Sequence, residues 1–172
     1  MCRNGSLECR KIFYITLFNF TITVHFHIQQ PSTAEEFKHY YHLRWKILRA
    51  PWEQAEGSEK DDIEHQCSHV MAITSALTPD SIVIGVARLQ YNDESEAQIR
   101  YMAVDKLFEH KGLGRELVAT MERQAKKTSH TNIILDARES AIGFYQKTGY
   151  ELIGKSYLLF DLIQHYRMVK KL

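Results

Sequence analysis

The sequence predicts one α/β (α+β) domain: a mixed, mostly antiparallel sheet of six to seven strands flanked by helices. Three observations carry that prediction. The chain has 172 residues, 44% of them hydrophobic, enough for one core and too few for two large ones. Runs of period two and period 3.6 follow one another as strand, helix, three strands, helix, strand, helix and two strands. A Gly-x-Gly turn, Gly112-Leu113-Gly114, joins a strand to an amphipathic helix where a parallel crossover is needed.

Each element has a local reason. Thr21 to Gln29 (TITVHFHIQ) alternates apolar and polar residues, as a half-buried strand does. After Pro31, Ser32 or Thr33 can cap a helix with Glu35 and Glu36 in its first turn. Phe37, Tyr40, Tyr41, Trp45 and Leu48 keep helical spacing, and Pro51 stops the run. Trp52 to Glu64 is polar, acidic and broken by Gly57, a loop with room for one short helix. His69–Ala76, Ser81–Tyr91 and Ala97–Val104 read as an antiparallel meander turned at Thr78-Pro79-Asp80 and at Asn92–Ser95. Leu113, Leu117, Val118 and Met121 mark one helix face running to about Lys127. Thr131–Asp136 is a short buried strand, Ser140–Lys147 a helix ended by Gly149, and Tyr150–Tyr157 and Leu162–Val169 closing strands.

Composition narrows the function. A net charge of +1 leaves no global field to gather nucleic acid, so a bound phosphate needs a local site. Cys2, Cys9 and Cys67 are odd in number and lack zinc-like spacing, which fits reduced thiols in a cytoplasmic protein. The basic start MCRNGSLECRK and the apolar IFYITLFNFTITVHF superficially resemble a secretory signal. No small-residue cleavage site follows, and Thr16, Asn19, Thr21 and Thr23 interrupt the stretch. It is also too short and polar to span a bilayer. Residues 1–22 are therefore expected to be an extension, an extra strand or disordered, preceding a domain of residues 23–172; no membrane partner is expected.

Three phosphate-binding designs place glycines at a helix mouth. The dinucleotide fingerprint needs a third glycine where this chain has Leu117, and the P-loop needs Lys and Ser or Thr at the helix entry. Neither matches. A short Gly-x-Gly remains, with backbone N–H groups and a helix N-terminus for a pyrophosphate and with Lys111 and Arg115 beside it. The stretch Val104-x-x-x-Phe108-x-x-Lys111-Gly112-Leu113-Gly114 is followed by a strand and by Ala141-Ile-Gly-Phe-Tyr-Gln-Lys-Thr-Gly-Tyr150. Together these resemble the two signatures of the GNAT N-acetyltransferase superfamily, and the element order is similar from Thr23 to Leu172. Departures are Glu109 and His110 in the loop and Arg138 at a position the family often fills with asparagine.

The resemblance implies acetyl-CoA as co-substrate, no metal, and acetyl transfer to the amine of a small molecule or peptide. It implies a splayed central strand pair, with Met102, Ala103 and Val104 against the pantetheine and the amide near Met102 polarising the thioester carbonyl. His110, Lys111, Gly112, Leu113, Gly114 and Arg115 would hold the pyrophosphate, with Arg138 and Phe144 as further cofactor contacts. Tyr145 would donate a proton to the departing thiolate. Where some relatives carry a basic carboxylate this chain has Gln98, which leaves Glu96 and His165 as candidate bases. A homodimer is a family-level expectation. A non-catalytic acyl-CoA-binding module, or an enzyme using another anionic nucleotide, remain alternatives.

Two clusters admit a plainer reading. His25 with His27, and His39 with His42, share faces but have no carboxylate or cysteine at ligand spacing, so structural or solvated histidines are expected. The acidic loop, Glu53, Glu56, Glu59, Asp61, Asp62 and Glu64, is either a solvated face or a negative border of the acceptor groove. The second alternative would favour a cationic amine.

Overall fold

The computed structural model describes residues 11–17, 20–74 and 82–172. Its strands are β1 (Lys11–Leu17), β2 (Phe20–Gln29), β3 (Ser68–Thr74), β4 (Ile82–Tyr91), β5 (Glu96–Val104), β6 (Asn132–Arg138), β7 (Glu151–Leu159) and β8 (Ile163–Lys171). The helices are α1 (Ala34–Leu48), α2 (Leu113–Lys127) and α3 (Ile142–Gln146). One sheet runs in the order β1-β2-β3-β4-β5-β6-β8-β7. Every neighbouring pair is antiparallel except β5–β6, which α2 joins as the crossover. The seven strands from β2 onward match the expected elements. β1 adds an edge hairpin inside the stretch read as an extension. Cys2, Cys9 and the turn Thr78-Pro79-Asp80 lie outside the described residues.

The helices sit on opposite faces because strand side chains alternate. On β3, Val70 and Ala72 join the core under α2, while Met71 and Ile73 join a smaller core under α1. In α2, Leu113, Leu117, Val118 and Met121 are buried against the sheet. A Cβ on Gly85 would meet Leu117 Cδ1 at 3.0 Å, so the glycine lets α2 lie close. Fully burying a side chain such as Leu117 contributes roughly 1.5–3 kcal/mol. Thr33 and Glu36 form the capping box that starts α1: Glu36 N–H donates to Thr33 Oγ1 at 3.1 Å and Thr33 N–H to Glu36 Oε2 at 3.2 Å. Satisfied backbone amides and the Ser32 hydroxyl hold the Glu36 carboxyl below the ordinary carboxylate range.

The acidic loop is half solvated, with Glu53, Glu56 and Asp62 exposed, and none of its residues lines the cavity described below. Glu59, Asp61 and Glu64 are consumed internally. Arg88, fully buried, forks onto Asp61 at 2.6 and 2.8 Å and reaches Glu64 at 2.6 Å. Arg44, equally buried, bonds both oxygens of Glu64 and the Glu59 carbonyl. Glu59 is itself buried and accepts the Gly57 amide at 2.7 Å. Glu56 pairs with His42 at the surface. Two buried guanidiniums cannot stay unpaired, and the loop carboxylates are the groups that meet them.

Candidate active site

The β5–β6 ladder stops at Ile99↔Leu135, although β5 continues to Val104 and β6 to Arg138. Beyond that point the strands part, and a cavity of about 430 Å³ opens between them. A bulge drives the parting. Val86 pairs with Ala103 and Arg88 with Arg100, so Ala87 alone faces Tyr101 and Met102. Tyr101 sits at φ 52°, a left-handed value uncommon for a bulky residue. Its ring is held on the α1 face by the guanidiniums of Arg44 and Arg88 at 3.9 and 4.7 Å, and its hydroxyl donates to Asp61 Oδ2 at 3.2 Å. The Ala87 carbonyl accepts the Tyr40 hydroxyl at 3.1 Å. The ion-paired loop thus pins the kink that opens the cavity.

Met102, Val104, Tyr145, Arg138 and His165 all line this space. On the α2 face, the buried Tyr145 ring packs edge-on to Phe144 at 4.9 Å and Tyr150 at 5.8 Å. Its hydroxyl donates only to Met102 Sδ, at 3.6 Å, a weak bond to sulfur. Burial raises this phenol to about 12, so it stays a proton donor throughout the neutral range. Ala103 also borders the cavity, though its side chain belongs to the core under α1.

His165 is buried on β8, opposite Arg138 in register. Its Nδ1 lies 3.0 Å from the Ile163 carbonyl, which can only accept, so Nδ1 carries the proton and Nε2 presents a lone pair. Tyr157 stacks on the ring at 4.6 Å. Burial pushes the imidazole below its ordinary value, and the nearby Arg138 and Arg49 push it in the same direction. The ring is neutral at neutral pH.

Glu96 does not reach the cavity. It begins β5, beside Asn132, and accepts the Asn92 amide at 2.8 Å in the preceding turn. The two-residue spacing to Gln98 shares a strand side but ends about 7 Å away along the strand. Gln98 does border the cavity, and its Nε2 donates to Asp136 Oδ2 at 3.0 Å. Asp136 also lines the cavity and accepts that amide and Arg167, whose Nε and second nitrogen lie at 2.7 and 3.1 Å.

The glycine turn caps α2. Gly112 takes φ +83°, and no side chain caps the helix. The first intrahelical bond runs from Glu116 N–H to the Gly112 carbonyl at 3.2 Å, which leaves first-turn amides without a helical partner. Gly112, Lys111 and His110 are outside the core, with His110 also left-handed at φ 58°. Gly114 has a different reason to lack a side chain: a Cβ there would meet Phe144 Cζ at 3.2 Å and Met102 Cε at 3.3 Å. Leu113 points into the core and Arg115 is exposed. Arg138 turns away from the turn and donates to the Leu48 carbonyl at 3.4 Å, with Trp52 under its guanidinium at 5.7 Å. Among the described residues no group of His, Cys, Asp and Glu is placed to hold a metal, and no helix is long and apolar enough to cross a membrane.

Sequence reasoning missed Arg49, Arg100, Tyr101 and Tyr157, which also line the cavity. Only Tyr101 had a local cause, its left-handed backbone, and no sequence pattern announces that for tyrosine.

Residues 37–150 match the profile described as the acetyltransferase (GNAT) family. The uncharacterized N-acetyltransferase YjcF of Bacillus subtilis (strain 168) is 22% identical over 139 residues, covering 81% of this chain and 95% of that protein. An acyl-CoA N-acyltransferase from Pseudomonas aeruginosa superposes with a TM-score of 0.69 at 19% identity, over 86% of this chain and 99% of its own. An aminoglycoside 6'-N-acetyltransferase complexed with coenzyme A gives 0.67 at 15% identity, over 84% and 96% of the two chains. These two structures share the fold.

Proposed function

The chain belongs to the GNAT acetyltransferase family, and we propose that it moves an acetyl group from acetyl-CoA to a primary amine of a small molecule or peptide by direct attack. The observation that carries this reading is the convergence of a protonated hydroxyl, Tyr145, and a neutral imidazole, His165, on the cavity between the parted strands. One can donate and the other accept, which are the two proton tasks of acyl transfer. The solved aminoglycoside acetyltransferase of the same fold carries coenzyme A.

Acetyl-CoA supplies an activated thioester. The first-turn amides of α2, approached at Gly112 where no Cβ intervenes, hold its pyrophosphate, and Lys111 adds positive charge. The free edge of β5 beyond Ile99 pairs with the pantetheine amides, and an amide near Met102 donates to the thioester oxygen as negative charge develops there. Tyr145 exchanges its weak contact with Met102 sulfur for the thioester sulfur and donates to it as the C–S bond breaks. His165 Nε2 takes the proton that the amine loses on forming the new C–N bond.

The test is thiol release from acetyl-CoA over a panel of primary amines. Amine-dependent release, with the acetylated amine as product, supports the reading. Tight acetyl-CoA binding with no turnover on any amine would assign the fold a binding role. Stabilisation by another nucleotide and none by coenzyme A would reassign the glycine turn. The odd cysteine count fits a cytoplasmic location. A homodimer would use the exposed Leu152, Ile153 and Leu158 of edge strand β7; light scattering decides it.

A further inference from the structure

The α1 side of the cavity holds positive charge that forms no ion pair among the described residues. Arg49 is 8% exposed and follows α1 directly. Its Nε donates to the Ser58 carbonyl at 3.0 Å and one terminal nitrogen to the Leu48 carbonyl at 3.1 Å. Arg138 donates to that same Leu48 carbonyl at 3.4 Å. Two guanidiniums therefore lie side by side on one carbonyl oxygen. Arg100 lines the same cavity and donates only to the Gln90 amide oxygen at 3.4 Å. None of the three has a carboxylate partner among the described residues. The contrast with Arg44, Arg88 and Arg167 is direct, since each of these meets a carboxylate.

A helix C-terminus explains part of this. The end of α1 carries about half a negative charge, which suits one cation and not two. Burial holds both Arg49 and Arg138 below the ordinary arginine range, with repulsion from Arg49 added at Arg138 and from Arg44 at Arg49, although both stay charged at neutral pH. Such a pair is stabilised by an anion placed between the forks, and a planar two-oxygen group fits guanidinium geometry best.

The location identifies whose anion it is. The glycine turn and Tyr145 belong to the α2 face, whereas Arg49 follows α1 on the opposite face, where Arg138 reaches the end of that helix. The thioester side and the arginine side thus meet through the opening between β5 and β6, with His165 beside Arg138 and Arg49. An acceptor entering from the α1 side would bring its amine to His165 while a second, anionic group met the arginines. Resting on the acetyltransferase reading above, we propose that Arg49 and Arg138 form a carboxylate-binding site for the acceptor, which is a small amino acid-like amine and not a polycation. The same positive charge disfavours an ammonium beside His165, and so favours the neutral amine that can attack.

The experiment compares each of the twenty common amino acids with its carboxamide, which keeps the amine and removes the negative charge. Thiol release from acetyl-CoA gives kcat/KM, and calorimetry on protein saturated with coenzyme A gives binding independently of turnover. We expect at least one acid to exceed its amide by ten-fold or more in both readouts. Arg138→Gln should cut that preference by about ten-fold, Arg138→Lys should restore part of it, and acetyl-CoA affinity should stay within about two-fold. Amides that serve as well as every acid, or acids that neither bind nor react, would overturn the proposal. So would an Arg138→Gln variant that loses acetyl-CoA affinity and keeps the acid preference, because the anion would then be the cofactor's. Arginine-dependent binding of acids without any turnover would refute acetyl transfer and leave the carboxylate site standing.

Discussion

Replacing Gly112 by alanine separates the two things this residue does. Its φ of +83° is left-handed, and a Cβ built there finds nothing within 4 Å, so the substitution is strained without being crowded. The strain costs about 1–2 kcal/mol, which lowers Tm by roughly 2–8 °C in a chain of this size. Gly57 provides the control. It is also left-handed, at φ +102°, also has open space around the added Cβ, and lies in the ion-paired loop. Gly57→Ala should therefore lose similar stability and no cofactor affinity. At Gly112 the open space is the proposed pyrophosphate site, so the methyl should also weaken acetyl-CoA about ten-fold, near 1.4 kcal/mol. The assay is calorimetric titration with acetyl-CoA alongside thermal melts of both variants. Unchanged affinity in a folded Gly112→Ala protein, or an equal affinity loss in Gly57→Ala, would remove the turn from the binding site.

Tyr145→Phe keeps the ring packing and removes a hydroxyl whose present partner is a weak sulfur acceptor, so Tm should move by little. Turnover with the best amine should fall roughly ten- to a thousand-fold, and near-normal turnover with chemistry rate-limiting would pass the donor role to water. His165 must be neutral to accept a proton, and burial lowers its pKa, so the acid limb of the wild-type pH–rate profile should fall below the ordinary histidine value of about 6.5. His165→Gln should lower kcat/KM and abolish that limb; an unchanged limb assigns it elsewhere. Asp61 is held down to about 2 chiefly by Arg88. A depressed carboxyl stabilises the fold above its unfolded pKa near 3.9 and loses that contribution as pH falls toward 2. Urea midpoints from pH 6 to 2 should show the fall in wild type and less of it in Asp61→Asn, which should also be less stable at pH 7 by about 2 kcal/mol.

Much of the fold was legible because periodicity and caps are local. Thr33 with Glu36, and the stripe Leu113, Leu117, Val118 and Met121, declare α1 and α2 within one or two turns of sequence. The glycine turn and the Ala141–Tyr150 segment were legible as motifs, and Tyr145 and His165 do meet at one cavity. Long-range pairings stayed hidden. Nothing local tells Asp61 and Glu64 that Arg44 and Arg88 are buried opposite them, so the loop read as free negative charge. Glu96 failed for a register reason: it shares a side with Gln98, but the parting of β5 and β6 begins only beyond Ile99. Gly114 looked like a phosphate glycine, and its tightest neighbours are Phe144 and Met102. Arg49 and Arg100 were invisible, and Arg138 was named only as a cofactor contact, because charge without a partner is a property of the assembled fold.

Direct transfer of acetyl from acetyl-CoA to an amine at this cavity is tested by following both products together. Free thiol and acetylated amine are quantified over time, with the intact protein mass recorded after incubation with acetyl-CoA alone. Direct attack should give one thiol per acetylated amine, no thiol without amine, and no acetyl adduct on the protein. Thiol release without acetylated amine, a stable acetyl-protein formed before amine is added, or tight acetyl-CoA binding with no thiol from any amine would contradict it.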